Sequence, residues 1–346
     1  MPTKSLPSNP SLANLRKRAK QLLEAARRGE SEASAQVREF HPRPPAAAAM
    51  ALHDAQLVVA RLYGFPSWAR LKHHLEGVER FTWDPMAAHE DGSPVDRLIR
   101  LACLDYGRWS PPDLTEARGL LSREPDLAAA SIHAAAAVGD VAAVRRFLAG
   151  DAALANAPGG PHRWPPLLHA CYSRLEPEGD RSTLEAARAL IDGGADPDAG
   201  LLWGGHVPPF TALTGAFGEG EDGNNQPPHP QRDALARLLL EAGADPNDGQ
   251  TLYNRHFRRD DGHLALLFEY GLGRDRGGPW IARFADRMGT PERMVVEELW
   301  FAARKNFPER ARLLVGSHSD VDSQKRNRRS HQRIGARCGR LFDQAL

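Results

Sequence analysis

The sequence predicts an all-α chain in which a helical module precedes a run of helix pairs. Three observations predict it. Two stretches near the start carry strong helix formers at helical apolar spacing. A helix-stop string recurs, as Gly194-Ala195-Asp196-Pro197-Asp198 and as Gly243-Ala244-Asp245-Pro246-Asn247. Short runs of one or two apolar residues followed by small residues recur along the middle of the chain at intervals that suit one supersecondary unit each.

The first module is assigned to residues 1–80. Leu12 to Arg28 reads as a helix, and so does Met50 to Tyr63, where Leu52, Gln56, Val59 and Tyr63 fall near one another. Gly64 stops that helix, and Ser67 is placed to cap a third one from Trp68 to Glu79. His41 to Pro45 is a turn-rich break, and residues 81–93 read as a linker.

Residues 94–322 carry the repeats. Each helix-stop string follows an apolar run, Ala187 to Ile191 or Leu235 to Leu240. The glycine ends the helix in the left-handed conformation, which costs least without a Cβ, and the Asp-Pro pair then sets a turn. Before each pair stands an apolar start with small residues behind it: Ile99-Arg100-Leu101-Ala102, Ile132-His133-Ala134-Ala135, Leu167-Leu168-His169-Ala170, Leu213-Thr214-Gly215-Ala216, the weaker Leu252-Tyr253-Asn254, and Leu299-Trp300-Phe301-Ala302. The small residues let a helix sandwiched between neighbours approach both of them. Leucine pairs such as Leu120-Leu121 and Leu266-Leu267 supply the buried stripe of the second helix.

These strings resemble the ankyrin repeat, above all Ser131 to Asp140 leading into Val141 to Leu148. The resemblance covers about six irregular units over 94–322, specific in units two, three, four and six and looser in one and five. It implies an ankyrin-repeat solenoid with an N-terminal helical cap module, and it implies that His133 ties its own turn while Cys103 and Cys171 fill small-residue slots. Asp54 to Leu57, Tyr63-Gly64-Phe65 and Ser67-Trp68 look like the helical module that precedes ankyrin repeats in many bacterial proteins, expected to cover the apolar face of the first unit. In unit five Arg255 stands where a small residue belongs, so that inner helix is expected to be offset or distorted.

Unequal spacing marks insertions, and in such arrays insertions map to surface loops. Tyr172 to Ser182 and Gly218 to Gln231 fall between the helices of adjacent units and should touch, forming an acidic, proline-stiffened wall with Glu176, Glu178, Asp180, Glu219, Glu221 and Asp222. A long finger, Asp198 to Phe210, joins units three and four. The residues expected to meet a partner are Trp203, His206 and Phe210 on that finger, Tyr253 and Asn254 in unit five, and Trp280 in the segment Gly271 to Pro291.

Of the 346 residues, 45 are Lys or Arg and 44 Asp or Glu, for a net charge of +1. The ends are basic, with seven basic residues and one acidic in each of 1–28 and 323–346, while 29–322 holds 31 basic and 42 acidic. Neither end interleaves aromatics with its charges, so nucleic acid is not the expected partner; the last segment reads as a disordered tail. Three cysteines lie far apart without a C-x-x-C, and no apolar run is long enough for a membrane span. Gly218-Glu219-Gly220-Glu221-Asp222-Gly223 matches G-x-G-x-x-G but follows a helical segment and carries three carboxylates, which would repel a pyrophosphate. The ankyrin resemblance implies a protein that binds a protein partner without catalysis; with it the sequence is read as a monomeric, cytoplasmic chain with no metal, cofactor or catalytic residues. The competing expectation is a small-molecule or metal pocket at the enlarged fingers of units three to five.

Overall fold

The computed structural model describes residues 4–6, 10–85, 92–107 and 111–325, with side chains through Gly316. The chain is 62% helical and contains seventeen α-helices among the described residues, with only short strands, which fixes the all-α class. Four helices make the N-terminal module: α1 Leu12–Arg27, α2 Ser31–Phe40, α3 Leu52–Leu62 and α4 Trp68–Phe81. Ser11 and Ser67 cap α1 and α4 by accepting the N–H groups of Asn14 and Arg70. α1 packs on α2 and α3 around Leu15, Leu22, Val58 and Val59. α2 is absent from the sequence-based expectation because its buried stripe is only Ala33 and Val37.

The remainder is built largely of helix pairs: α5 Pro94–Ala102 with α6 Leu114–Arg123, α7 Ile132–Val138 with α8 Val141–Gly150, α9 Pro166–Tyr172 with α10 Thr183–Asp192, α11 Ala212–Phe217 with α12 Arg232–Glu241, and α13 Gly249–Asn254 with α14 Gly262–Glu269. A single helix, α15 Pro279–Met288, precedes the last pair, α16 Pro291–Arg304 and α17 Pro308–Lys325. The inner helices α5, α7, α9, α11 and α13 each pack on the next, and the outer helices α8, α10 and α12 do likewise. Ala134 to Ala137 are all fully buried, as an inner helix between two neighbours requires. Gly139 closes α7 at φ +76°; a Cβ there would lie 2.5 Å from the carbonyl carbon of Ser182, so the corner between α7 and α8 accepts glycine alone. One apolar core runs through these helices from Trp83 to Leu314.

The N-terminal module is seated differently from expectation. α4 packs against the finger and α15. The chain then continues as a strand, β1 Thr82–Trp83, paired in parallel with β2 Gly200–Trp203, which pairs antiparallel with β3 Phe210–Thr211. The finger is thus a hairpin with its free edge covered by the start of the supposed linker. A small apolar cluster of Leu202, Trp280 and Phe284, with Val78 and Phe81 against it, joins module, finger and α15. Arg70 pairs with Asp286 at 3.0 Å across the same joint.

The two insertions touch, as their adjacency predicts, but they are not a solvated wall throughout. Arg174, 2% exposed, reaches from one to the other and donates to the carbonyls of Pro227 at 2.6 Å and Gly215 at 2.9 Å. Glu219 is buried against Arg255, and His229 is buried against Thr183; Glu176, Glu178 and Asp180 stay exposed. α17 runs through Lys325, beyond the expected end of the repeats at Asp322; the rest of the basic tail lies outside the described residues. Among the described residues no helix is long and apolar enough to cross a membrane.

Candidate functional site

The site grows from the distortion in unit five. Asp248 caps α13, accepting the N–H groups of Gln250 at 3.0 Å and Thr251 at 2.9 Å as well as the Thr211 hydroxyl. Burial raises the pKa of this carboxyl, and the Thr and backbone donors oppose the shift. α13 ends at Asn254, and the chain passes into a 3-10 turn over Arg255–Phe257. The Arg255 side chain at the start of this turn is fully buried, paired with Glu219 at 2.5 Å and Asp260 at 2.7 Å.

His256 then meets α16. Thr290 caps that helix, and Met294, Glu298 and Phe301 recur along one face of it, with Glu297 beside them. The His256 ring stacks on Phe301, with centroids 3.8 Å apart and planes 10° from parallel. Its Nε2 is hydrogen-bonded to Oε1 of Glu298, a residue 3% exposed. On the other flank, α15 brings Arg287 and Met288. The Arg287 guanidinium donates to the Tyr63 carbonyl at 2.9 Å and lies over the Phe65 ring at 4.7 Å, so this wall is braced by the N-terminal module.

Between these elements lies a cleft of about 360 Å³. Leu252, Met288, Met294 and Pro208 give it apolar walls; Gln250, Tyr253, His256, Arg287, Glu297 and Glu298 supply its polar groups. The volume falls in the range of small-molecule sites, and a few polar groups on an apolar lining is their usual composition. Tyr253 donates its phenol to Glu221, and that bond pushes its pKa up to about 12. Among the described residues no group of three or more His, Cys, Asp or Glu side chains is arranged to hold a metal ion.

Of the residues singled out in the sequence, Tyr253 alone lines the cleft. Asn254 is buried behind it, donating to Tyr106 at 3.1 Å and accepting from Gln250 at 2.8 Å. Trp203 lies in β2, in register with Trp83 and partly buried against the main core. Phe210 meets the edge of Tyr106 at 5.0 Å. His206 is exposed at the finger tip. Trp280 is 5% exposed; its indole donates to the Asp198 carbonyl at 2.8 Å and its ring faces Phe81. The finger aromatics are thus mostly occupied by the chain's own packing. His256, Arg287, Met294 and Glu298 are not legible as a site in the sequence. A carboxylate at 298, on the same stripe as Val295 and Ala302, is the available signal, since a glutamate on a buried face needs a partner. Nothing local names that partner, which lies 42 residues away.

Comparison with protein-family models, curated proteins and solved structures finds no match to this chain.

Proposed function

We propose that this chain is a non-enzymatic binding protein of the ankyrin-repeat type, and that the cleft beside unit five is where it binds a small molecule. The stacking of successive inner helices supports the repeat reading, and the cleft carries the functional one: about 360 Å³ of apolar-walled space with a few convergent polar groups. It lies at the edge of the region where the enlarged fingers directed attention. Two unpaired, buried thiols, Cys103 and Cys171, fit a reducing cytoplasm.

Gly249→Leu tests the assignment. A Cβ at Gly249 would stand 3.4 Å from Pro208 and 3.9 Å from Met294, ordinary contact distances, so the larger side chain extends into the cleft without a clash at its base. Screening a fragment library by ligand-observed NMR should give binders to the native protein that Gly249→Leu loses while its melting temperature stays close. Binders retained by Gly249→Leu, or no binders at all, would remove the cleft as the site.

A second reading, a protein partner, rests on Tyr253, Phe257 and Trp300, which are 41%, 46% and 51% exposed. Tyr253 and Phe257 meet edge to face at 5.6 Å. A photo-crosslinking side chain at position 257 should then trap a defined partner in host cells, and the same group at the exposed Leu52 of the module should not. Equal labelling from both positions would dismiss that surface.

A further inference from the structure

We propose that the ligand of the cleft is an organic carboxylate, a small molecule with an apolar body and one acid group held by Arg287. The inference rests on the cleft being a binding site. It follows from which of its charges a ligand can reach and which are held within the chain. Glu297 is paired with Arg293 at 2.7 Å, one turn earlier on α16. Glu298 is sealed in the wall against His256. Arg287 is different: its one protein hydrogen bond is to a neutral carbonyl, that of Tyr63, and it forms no ion pair among the described residues. Its neighbour Asp286 is taken by Arg70. The guanidinium therefore brings a positive charge to the cleft with Nε and Nη1 uncommitted. A charge-assisted hydrogen bond from either of them to an acid oxygen is the contact it offers.

His256 forms the neighbouring wall. Its Nε2 is held by Glu298 and the stack on Phe301 fixes the ring plane, so the ring is a rigid surface beside the bound acid. The ligand's body would lie on Leu252, Met288 and Met294. Methionine side chains adapt to irregular apolar shapes, which favours a class of acids over one molecule.

The test uses matched probes on the full-length protein: phenylacetate, phenylacetamide and phenethylammonium, then hexanoate, hexanamide and hexylammonium. Dissociation constants come from ligand-observed NMR titration. Each acid should bind at least tenfold more tightly than its amide or amine. Arg287→Gln should remove that preference, and Arg287→Lys should keep part of it. Because Arg287 also braces the N-terminal module, Arg70→Gln serves as the control: it breaks the Arg70–Asp286 ion pair of that joint without touching the cleft, and acid binding should be unchanged. Tighter binding of the amine or amide, lost in Gly249→Leu, would overturn the carboxylate assignment while leaving the cleft as a ligand site. Loss of acid binding in Arg70→Gln equal to that in Arg287→Gln would also overturn it, since the arginine would then act only through the module. Failure of every probe to bind the native protein would count against both the cleft and the acid.

Discussion

Arg255 is fully buried where α13 gives way to a 3-10 turn. Its guanidinium is fully enclosed with Glu219 and Asp260 as counter-charges. A buried charge left uncompensated typically costs about 3–5 kcal/mol, and Asp260, 48% exposed, would offset part of that once Glu219 is neutralised. Glu219→Gln should therefore destabilise the protein by roughly 3 kcal/mol in urea unfolding, whereas Glu176→Ala, on the exposed part of the neighbouring insertion, should stay within about 0.5 kcal/mol. Equal effects would mean that Arg255 is compensated elsewhere. His74 makes a second residue-scale case. It lies between Phe65 and Phe284, at ring distances of 4.9 and 5.5 Å, and burial, aided by the Arg287 charge, pulls its pKa from 6.5 down to about 4. Below about 6.5 the unfolded chain gains a proton there that the folded chain refuses. The stabilisation is therefore complete above that pH and is lost as pH falls toward 4. His229, pulled down to about 3 by burial and the Arg174 charge, acts in the same direction; Asp198, pushed up to about 6 by burial, acts oppositely. His74→Leu should accordingly flatten, without abolishing, the fall in Tm between pH 6.5 and 4. An unchanged acid limb would show that this imidazole is not held neutral.

At the scale of elements, the helix stops behave as glycine chemistry requires. Gly243 sits at φ +104°, and a Cβ there would meet nothing within 4 Å, so backbone strain alone opposes a side chain. Gly243→Val should cost about 1–2 kcal/mol, read from thermal or urea melts; a neutral result would place the helix end elsewhere. The joint between α4 and α15 depends on Phe284, 1% exposed, whose ring would lie 2.9 Å from a Cβ at Gly77. Phe284→Ala opens a cavity and should cost about 3 kcal/mol or more. Hydrogen exchange should rise selectively over residues 68–83, while a rise spread evenly over the chain would show that this joint is not a separable unit. The inner and outer helices are legible in the sequence because alanine runs, leucine pairs and Gly-Ala-Asp-Pro stops are local signals. α15 reads as an irregular segment because Gly277-Gly278 and Gly289 crowd it at both ends and Phe284 departs from helical φ/ψ inside it. β1 is invisible for another reason: two residues carry no period, and their pairing partner lies more than a hundred residues away.

For the whole molecule, the main departure from expectation is that the N-terminal module folds back on the finger and α15, where a partner was expected to sit. The aromatics of the finger and α15 stand out locally, but nothing in the sequence indicates that Trp83 pairs beside Trp203 and Phe81 against Trp280. The same arrangement leaves open the cleft between unit five, α15 and α16, and gives it Arg287 as a wall braced by the module. The central claim, that this cleft is where the protein binds, has built-in reporters. The sequence holds five methionines. Met288 and Met294 line the cleft, and Met50, 1% exposed, is buried in the core of the module. Labelling the methionine methyl groups with carbon-13 and titrating with phenylacetate therefore tests the claim in one spectrum. The Met288 and Met294 signals should move together along one saturating curve while the Met50 signal stays in place; unmoved Met288 and Met294 signals, or shifts led by Met50, would contradict it.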